Sequence, residues 1–407
     1  MKSSFTRKEL YGTVSLSGII SLRLAGIFLL LPVFALYTNE LPGATPLLVG
    51  VALGAYGLSQ VFLQIPFGLL SDKFGRKKLL IIGLLIFAAG SVLCALADNI
   101  YMMLAGRFLQ GAGAVASVIM AYIADITAER NRLMAMTIVG ISIGMTFGLS
   151  MIISPFIASS YGVDMIFWIT AGLILIAILH LTFFMEEPKN HPFQEEVELN
   201  FEQIKTVLKD KNLKIYDFGI FFIHFALSAT FVTVPFYLAE FYPIAELWKI
   251  YISVFVISAI FLPPMIIFAN KKGKEKMIMT ICTGFLLVAF MLFIYAEHSV
   301  ILIYVGLVHF FIGFNALSSL LPTGVSKRSK RQHRGTSLGI YNTSEFFGTF
   351  IGGVTGGLCQ GINPAYSFAL LFFLGLSFLY FIYVLEPYKM QDDTEDKATT
   401  GAIPEPE

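Results

Sequence analysis

Apolar residues in this chain gather into long runs parted by short polar segments, near 14–38, 47–70, 78–97, 101–124, 133–158, 164–185, 215–241, 248–269, 277–296, 299–322, 336–360 and 364–385. Each run is close to the roughly 20 residues a helix needs to cross a hydrocarbon layer about 30 Å thick. A helix satisfies its own backbone hydrogen bonds in lipid, whereas barrel strands would read as alternating segments of about 10 residues. The pattern predicts an all-α membrane protein with twelve transmembrane helices. One polar interruption is longer: 186–213 is charged and holds two prolines. Within it Phe201, Ile204 and Leu208 recur at helical spacing beside Glu202, Lys205 and Lys209, which fits a short amphipathic helix on the membrane surface or a plain flexible linker. After Lys389 the chain carries DDTEDK and PEPE, and this acidic tail is expected to be disordered.

Composition agrees with the pattern. Hydrophobic residues make up 56% and charged residues 14%, with a mean hydropathy of +0.76, which a water-soluble enzyme would not need. The net charge of +1 gives no general pull toward nucleic acid. The charges are nevertheless sorted by side. Lys2, Arg7 and Lys8, then Lys73, Arg76, Lys77 and Lys78, then Arg130 and Arg132 fall on one side. Lys271, Lys272, Lys274 and Lys276, and Lys327, Arg328, Lys330, Arg331 and Arg334, continue it. The loops between, at 39–46, 98–100, 159–164, 242–247 and 361–363, contain no Lys or Arg. By the positive-inside rule both termini are expected in the cytoplasm, which requires an even number of spans. The first run is too long for a signal-peptide core. Cys94, Cys282 and Cys359 lack metal or disulfide spacing, and neither a metal nor a cofactor is expected.

The chain repeats. Residues 1–190 form one six-helix half and 214–388 a second, joined by a cytoplasmic linker at 191–213 and followed by the tail at 389–407. Setting Pro66 against Pro264 brings Asp72 onto Asn270, Lys73 onto Lys271, Gly75 onto Gly273, Arg76 onto Lys274 and Lys78 onto Lys276 without a gap. Arg107 and Gly111 fall on His309 and Gly313, and Gly144 and Gly148 on Gly348 and Gly352. Two related bundles that rock about a site between them suit a transporter. Gly140, Gly144 and Gly148 of the fifth span and Gly348, Gly352 and Gly356 of the eleventh recur every four residues, a spacing that lets backbones approach closely. These two spans are expected to pack face to face across the halves, or elsewhere in the bundle.

Ionisable groups inside hydrocarbon cost at least about 2.5 kcal/mol each, so those in the spans are candidates for function. Arg23 stands about 14 Å into the first span at about 1.5 Å per residue, near the midplane. His224, His309 and Glu345 lie at comparable depth, and Arg107 nearer the outer face. Histidine titrates between about pH 5 and 8 when unperturbed, and a buried carboxylate can be raised into that window, so His224 and Glu345 suit proton carriers. Two roles are open to Arg23, Arg107 and His309: binding protons or substrate, or tying helices together as fixed hydrogen-bonding groups.

The turn at 68–80 reads GLLSDKFGRKKLL and joins two apolar runs. It resembles the signature loop of the major facilitator superfamily, in which glycine, two apolar residues and a small residue precede Asp, a basic residue, an aromatic, Gly, Arg and Lys. Further phrases are similar to the drug:proton antiporter branch and, within it, to YajR-type bacterial transporters: SLRLAGIFLLLPV, RFLQGAGAVAS, ADITAERNRLMAM, IHFALSATFVTVP and GIYNTSEFFG. The resemblance covers 15–387. It implies that Gly68, Asp72, Gly75, Arg76 and Asp125 form a conformational switch, with Asp72 docked on the N-terminus of the eleventh helix. It also implies that the first, fourth, seventh and tenth spans line the cavity. Two departures stand out. Ser154 precedes Pro155 where such antiporters carry Gly-Pro, and the soluble ferredoxin-like domain that ends YajR-type proteins is expected to be absent.

The expected function is secondary active transport in a bacterial inner membrane, exporting amphipathic or hydrophobic small molecules in exchange for protons, by a monomer. A proton-coupled uptake symporter for a metabolite is the alternative on the same fold, and a non-transporting sensor or scaffold the alternative from another class. No catalytic constellation and no phosphate-cradling GxxxxGK[ST] occurs, so neither an enzyme nor an ATP-driven pump is expected.

Overall fold

The computed structural model describes residues 5–187, 201–269, 274–329 and 333–386. Linker residues 191–200, the tail at 389–407 and the repeat positions Asn270, Lys271 and Gly273 lie outside them. Among the described residues the chain is helical, without strands. In order the helices are α1 (Arg7–Phe28), α2 (Phe34–Asn39), α3 (Pro46–Phe74), α4 (Arg76–Ala95), α5 (Ile100–Ala112), α6 (Ala116–Ile126), α7 (Arg132–Tyr161) and α8 (Val163–Phe184). Then come α9 (Phe201–Lys209), α10 (Lys211–Ala239), α11 (Leu247–Ala269), α12 (Glu275–Ile294), α13 (Val300–Arg328), α14 (Arg334–Gln360) and α15 (Ala365–Val384). Each expected span is found. The first is split into α1 and α2, with Pro32 in the break, and the fourth into α5 and α6. α9 is the short helix of the linker; its Val207 is buried and its Gln203 meets Thr336 of α14.

Local chemistry sets the helix starts. The Thr6 hydroxyl accepts from the Glu9 N–H while the Glu9 carboxylate accepts from the Thr6 N–H, a reciprocal cap for α1. Thr45 caps α3 just ahead of Pro46, and Asn99 and Ser299 cap α5 and α13. Eleven segments of the described residues are long and apolar enough to cross a membrane. α14 is the exception, being rich in glycine and small polar residues. It lies between α10 and α3, so little of it needs to face lipid.

That position corrects the expected glycine packing. A Cβ on Gly348, Gly352 or Gly356 would come within 3.0, 2.8 and 3.0 Å of the Cα atoms of Phe221, Phe225 and Ala229. The eleventh span thus presses its glycines on the seventh, inside its own half. In the fifth span, Gly148 faces the ring of Phe255 on α11, and nothing lies within 4 Å of a Cβ at Gly140 or Gly144. Spacing of four specifies a close approach but not the partner. The glycines that join the halves are others: a Cβ on Gly50 would meet the Gly357 Cα at 2.8 Å, on Gly54 the Phe350 carbonyl at 2.8 Å, and on Gly57 the Phe346 carbonyl at 2.7 Å.

These contacts all lie toward one end. The apolar core that includes Leu29, Phe34, Leu53, Met103 and Phe147 of the first half continues into Phe231, Tyr251 and Phe311 of the second. Nearer the basic end, a separate core with Leu16, Phe67, Leu80, Val118 and Leu181 is built from the first half. Gly335 and Gly339 of α14, like Gly140 and Gly144 of α7, have nothing within 4 Å of a Cβ. The halves are sealed at the end opposite the basic loops and parted at the basic end.

Candidate functional site

His224 of α10 and Glu345 of α14 were legible as isolated mid-span charges, and the fold brings them together, Nε2 to Oε1, at 3.3 Å. The other ring nitrogen, Nδ1, lies 3.2 Å from the Ile220 carbonyl oxygen, which can only accept, so Nδ1 carries hydrogen. A hydrogen bond between Nε2 and Oε1 takes one further proton. It yields either imidazolium with carboxylate or imidazole with carboxylic acid, and both are neutral as a pair. Removing it leaves a lone pair facing a carboxylate, an arrangement that repels and leaves a charge in a poorly hydrated place. The side chains are 16% and 30% exposed, so neither is sealed inside the protein.

The two arginines are placed differently. Arg23 and Arg107 are 1% and 2% exposed. Arg23 donates to the Gly113 carbonyl at 3.2 Å, and Gln60 Nε2 donates to the Gly111 carbonyl at 2.6 Å. Both carbonyls sit at the end of α5, where the break before α6 removes their helical donors. A cation at this negative dipole end is stabilising by about 0.3–2 kcal/mol. Arg107 donates to Gln110 Oε1 at 2.8 Å and to the Ala52 and Leu53 carbonyls at 3.4 Å. Tyr56 lies against both guanidinium groups at 5.6 Å. These are the contacts of helix-tying donors enclosed within the first half. Ser154 acts at the other split span: its hydroxyl donates to the Leu29 carbonyl just past α1. That gives the serine at the departure from Gly-Pro a bond that glycine could not make.

His309 is not part of the His224–Glu345 pair. Its Nδ1 is 2.8 Å from the Val305 carbonyl and its ring centroid 5.5 Å from that of Phe285 on α12.

In the loop at 68–80, Gly75 has φ 96°, a backbone conformation that favours glycine, and forms the corner between α3 and α4. Arg76 forms an ion pair with Asp72 and bonds through Nε to Asp125 Oδ2 at 2.9 Å. A Cβ on Gly68 would be 3.6 Å from the Ser117 hydroxyl, an ordinary contact. Asp72 thus pairs with Arg76 rather than with the first turn of α14, where Thr336 meets Gln203 of α9.

The matching corner of the second half escaped the sequence alignment. Lys77 Nζ donates to the Thr182 and Met185 carbonyls at the end of α8, and Lys276 Nζ donates to the Tyr383 and Leu385 carbonyls at the end of α15. Lys276 therefore matches Lys77 rather than Lys78, and Glu275 takes the place of Arg76. Glu275 accepts from the Tyr216 hydroxyl at 2.9 Å, and Arg328 Nε donates to the same oxygen at 2.9 Å.

Comparison with known proteins agrees with this architecture. The model of the Major Facilitator Superfamily matches residues 16–353 and 218–404. The chain is 39% identical over 358 residues to the inner membrane transport protein YajR of Escherichia coli (strain K12), covering 88% of this chain and 79% of that protein. It is 26% identical over 390 residues to multidrug resistance protein 2 of Bacillus subtilis (strain 168), covering 90% and 93%. A bacterial homologue of the human lysosomal transporter Spinster, solved in an inward-facing, occupied conformation, shares the fold with a TM-score of 0.74 at 14% identity, covering 94% and 97%. With two six-helix halves, the loop at 68–80 between α3 and α4 and these matches over most of its length, the chain belongs to the major facilitator superfamily.

Proposed function

We propose that this secondary transporter exports amphipathic or hydrophobic small molecules in exchange for protons across a bacterial inner membrane, as a monomer with both termini in the cytoplasm. The positive-inside rule puts the basic end in the cytoplasm, so the conformation described is open inward. The observation that carries the reading is the approach of His224 Nε2 to Glu345 Oε1 at 3.3 Å, a contact that one proton between them would make favourable. Protonated, the pair is neutral and intact. When the proton leaves toward the cytoplasm the two acceptors repel, and the site is ready for cargo and the return to the outward-open form. There, Asp72 docks on the positive dipole end of α14 and holds the cytoplasmic side shut. Protonation from outside restores the pair and reverses the change.

The test uses proteoliposomes and ethidium, an amphipathic fluorescent probe. Ethidium should move against an imposed proton gradient, and both Glu345→Gln and His224→Gln should abolish the response to the gradient. Ethidium moving with the protons would establish symport instead, and flux indifferent to the gradient would remove proton coupling.

A further inference from the structure

We propose that Phe314 of α13 is the positioning residue that couples the His224–Glu345 pair to the seal between the halves. The inference rests on the proton-coupled reading above and adds the part that transmits it. The His224 ring meets Phe314 edge-on, with centroids 5.6 Å apart and planes at 63°. Phe314 in turn lies 6.5 Å from Phe147 of α7, a residue of the other half. Phe147 packs 5.0 Å from Phe28 and 5.8 Å from Phe311. The next residue, Gly148, has the ring of Phe255 on α11 where a side chain would stand. Phe147 is thus wedged into the joint that closes the end opposite the basic loops, and Phe314 touches both the wedge and the proton pair. Phe314 is itself 7% exposed and stacked on Phe310 at 5.8 Å and 10°, so it has little freedom to move independently of its neighbours.

The sign follows from aromatic electrostatics. An imidazolium is drawn to a neighbouring aromatic ring, whereas a neutral imidazole is held far less. In the protonated form with imidazolium beside carboxylate, His224 holds Phe314, and Phe314 keeps the socket of Phe147 closed. Without it the ring is released, and a close-packed joint responds by switching arrangement rather than by deforming a little. The same proton that makes the pair neutral therefore favours the form sealed at the far end. Other titratable groups face the pair. Tyr341 stands one turn toward the basic end on α14, within electrostatic reach of Glu345 and of Asp217 on α10. Tyr56 of α3, with Arg23 and Arg107 against its ring, faces Glu345 from the first half. On α13, His309 turns to Phe285 instead.

The test reads the seal directly and needs no cargo. Nitroxide labels are placed at Ser160→Cys and Ala245→Cys, at the far ends of the two halves, in the full chain with Cys94, Cys282 and Cys359 replaced by alanine, and distances are measured in nanodiscs at pH 5 and pH 8. With Phe314 in place, the ratio of closed to open distances should fall about fivefold or more on raising the pH, a shift that a modest difference in affinity between two states produces. Phe314→Leu, which keeps the apolar volume, and Phe314→Ala should both reduce the change to less than about twofold, and Phe314→Tyr, which keeps the ring, should restore it. Phe314→Leu showing the full pH response, while His224→Gln abolishes it, would overturn the coupling role alone. A chain with Phe314 present whose distances ignored pH would overturn the proton-coupled reading together with it.

Discussion

Glu275 begins α12 where Arg76 begins α4, so the two halves carry the same corner with opposite charge. Arg76 bonds to Asp125 at the end of α6, and Glu275 is joined through the Tyr216 hydroxyl to Arg328 at the end of α13. Each half thereby ties the start of one span to the end of the next with one acid and one base, although the residues have changed places.

Glu275→Gln should weaken the second corner without breaking it. The Tyr216 hydroxyl loses a charged acceptor, and the loss expected is about 1–2 kcal/mol. Thermal unfolding in detergent should show a lowered midpoint for Glu275→Gln and a comparable one for Tyr216→Phe, with no additive loss in the double variant. Additive losses would mean that the two side chains act separately.

Asp72→Asn should leave the chain folded and lower its transport. An anion at a helix N-terminus is worth about 0.3–2 kcal/mol, enough to bias the equilibrium by a few-fold to about thirty-fold. Distance measurements across the basic end should show the inward-open population rising. Equal ethidium transport at equal membrane expression would remove Asp72 from the switch.

Gly50→Ala and Gly54→Ala should disfavour the sealed form. The added methyl group meets backbone on α14, which cannot swing aside as a side chain would. Gly335→Ala and Gly140→Ala, with open space around them here, should leave this form undisturbed. Labels across the far end should report opening for the first two variants, and the same distances as the parent for the second two.

Ser154→Ala should cost about 1–3 kcal/mol, because the Leu29 carbonyl at the end of α1 loses its donor in a buried place. A thermal midpoint unchanged from the parent would show that this carbonyl finds another partner.

Much of the fold was readable because lipid imposes a simple demand: enough apolar residues in succession to span it. The spans follow from that, and so does the notice drawn to His224, Glu345, Arg23 and Arg107, since a charge in such a run is conspicuous. Which charges meet is a matter of helix rotation and tilt, and a string of residues does not carry it. The pairing of His224 with Glu345 and the enclosure of Arg23 against the end of α5 emerged only in three dimensions. The glycine series at 348–356 announced a close contact, but α10 received it rather than α7. Gly50 and Gly54, which join the halves, do stand four apart, but with Gly57 three residues on they form no longer series of fours to single them out. The gapless alignment hid Glu275 because it set Lys276 on Lys78, one place away from the lysine whose contacts it reproduces.

The modest apolarity of α14 bears on how the protein is made. A segment that lipid alone would hold weakly needs company to stay in the bilayer, and α3, one of its flanking helices, comes from the early part of the chain. Its place in the membrane is therefore tied to assembly: both of its flanking helices, α3 of the first half and α10 of its own, precede it in the chain. Biogenesis and transport then depend on the same seam, which must be firm enough to retain a polar helix and loose enough to part at one end.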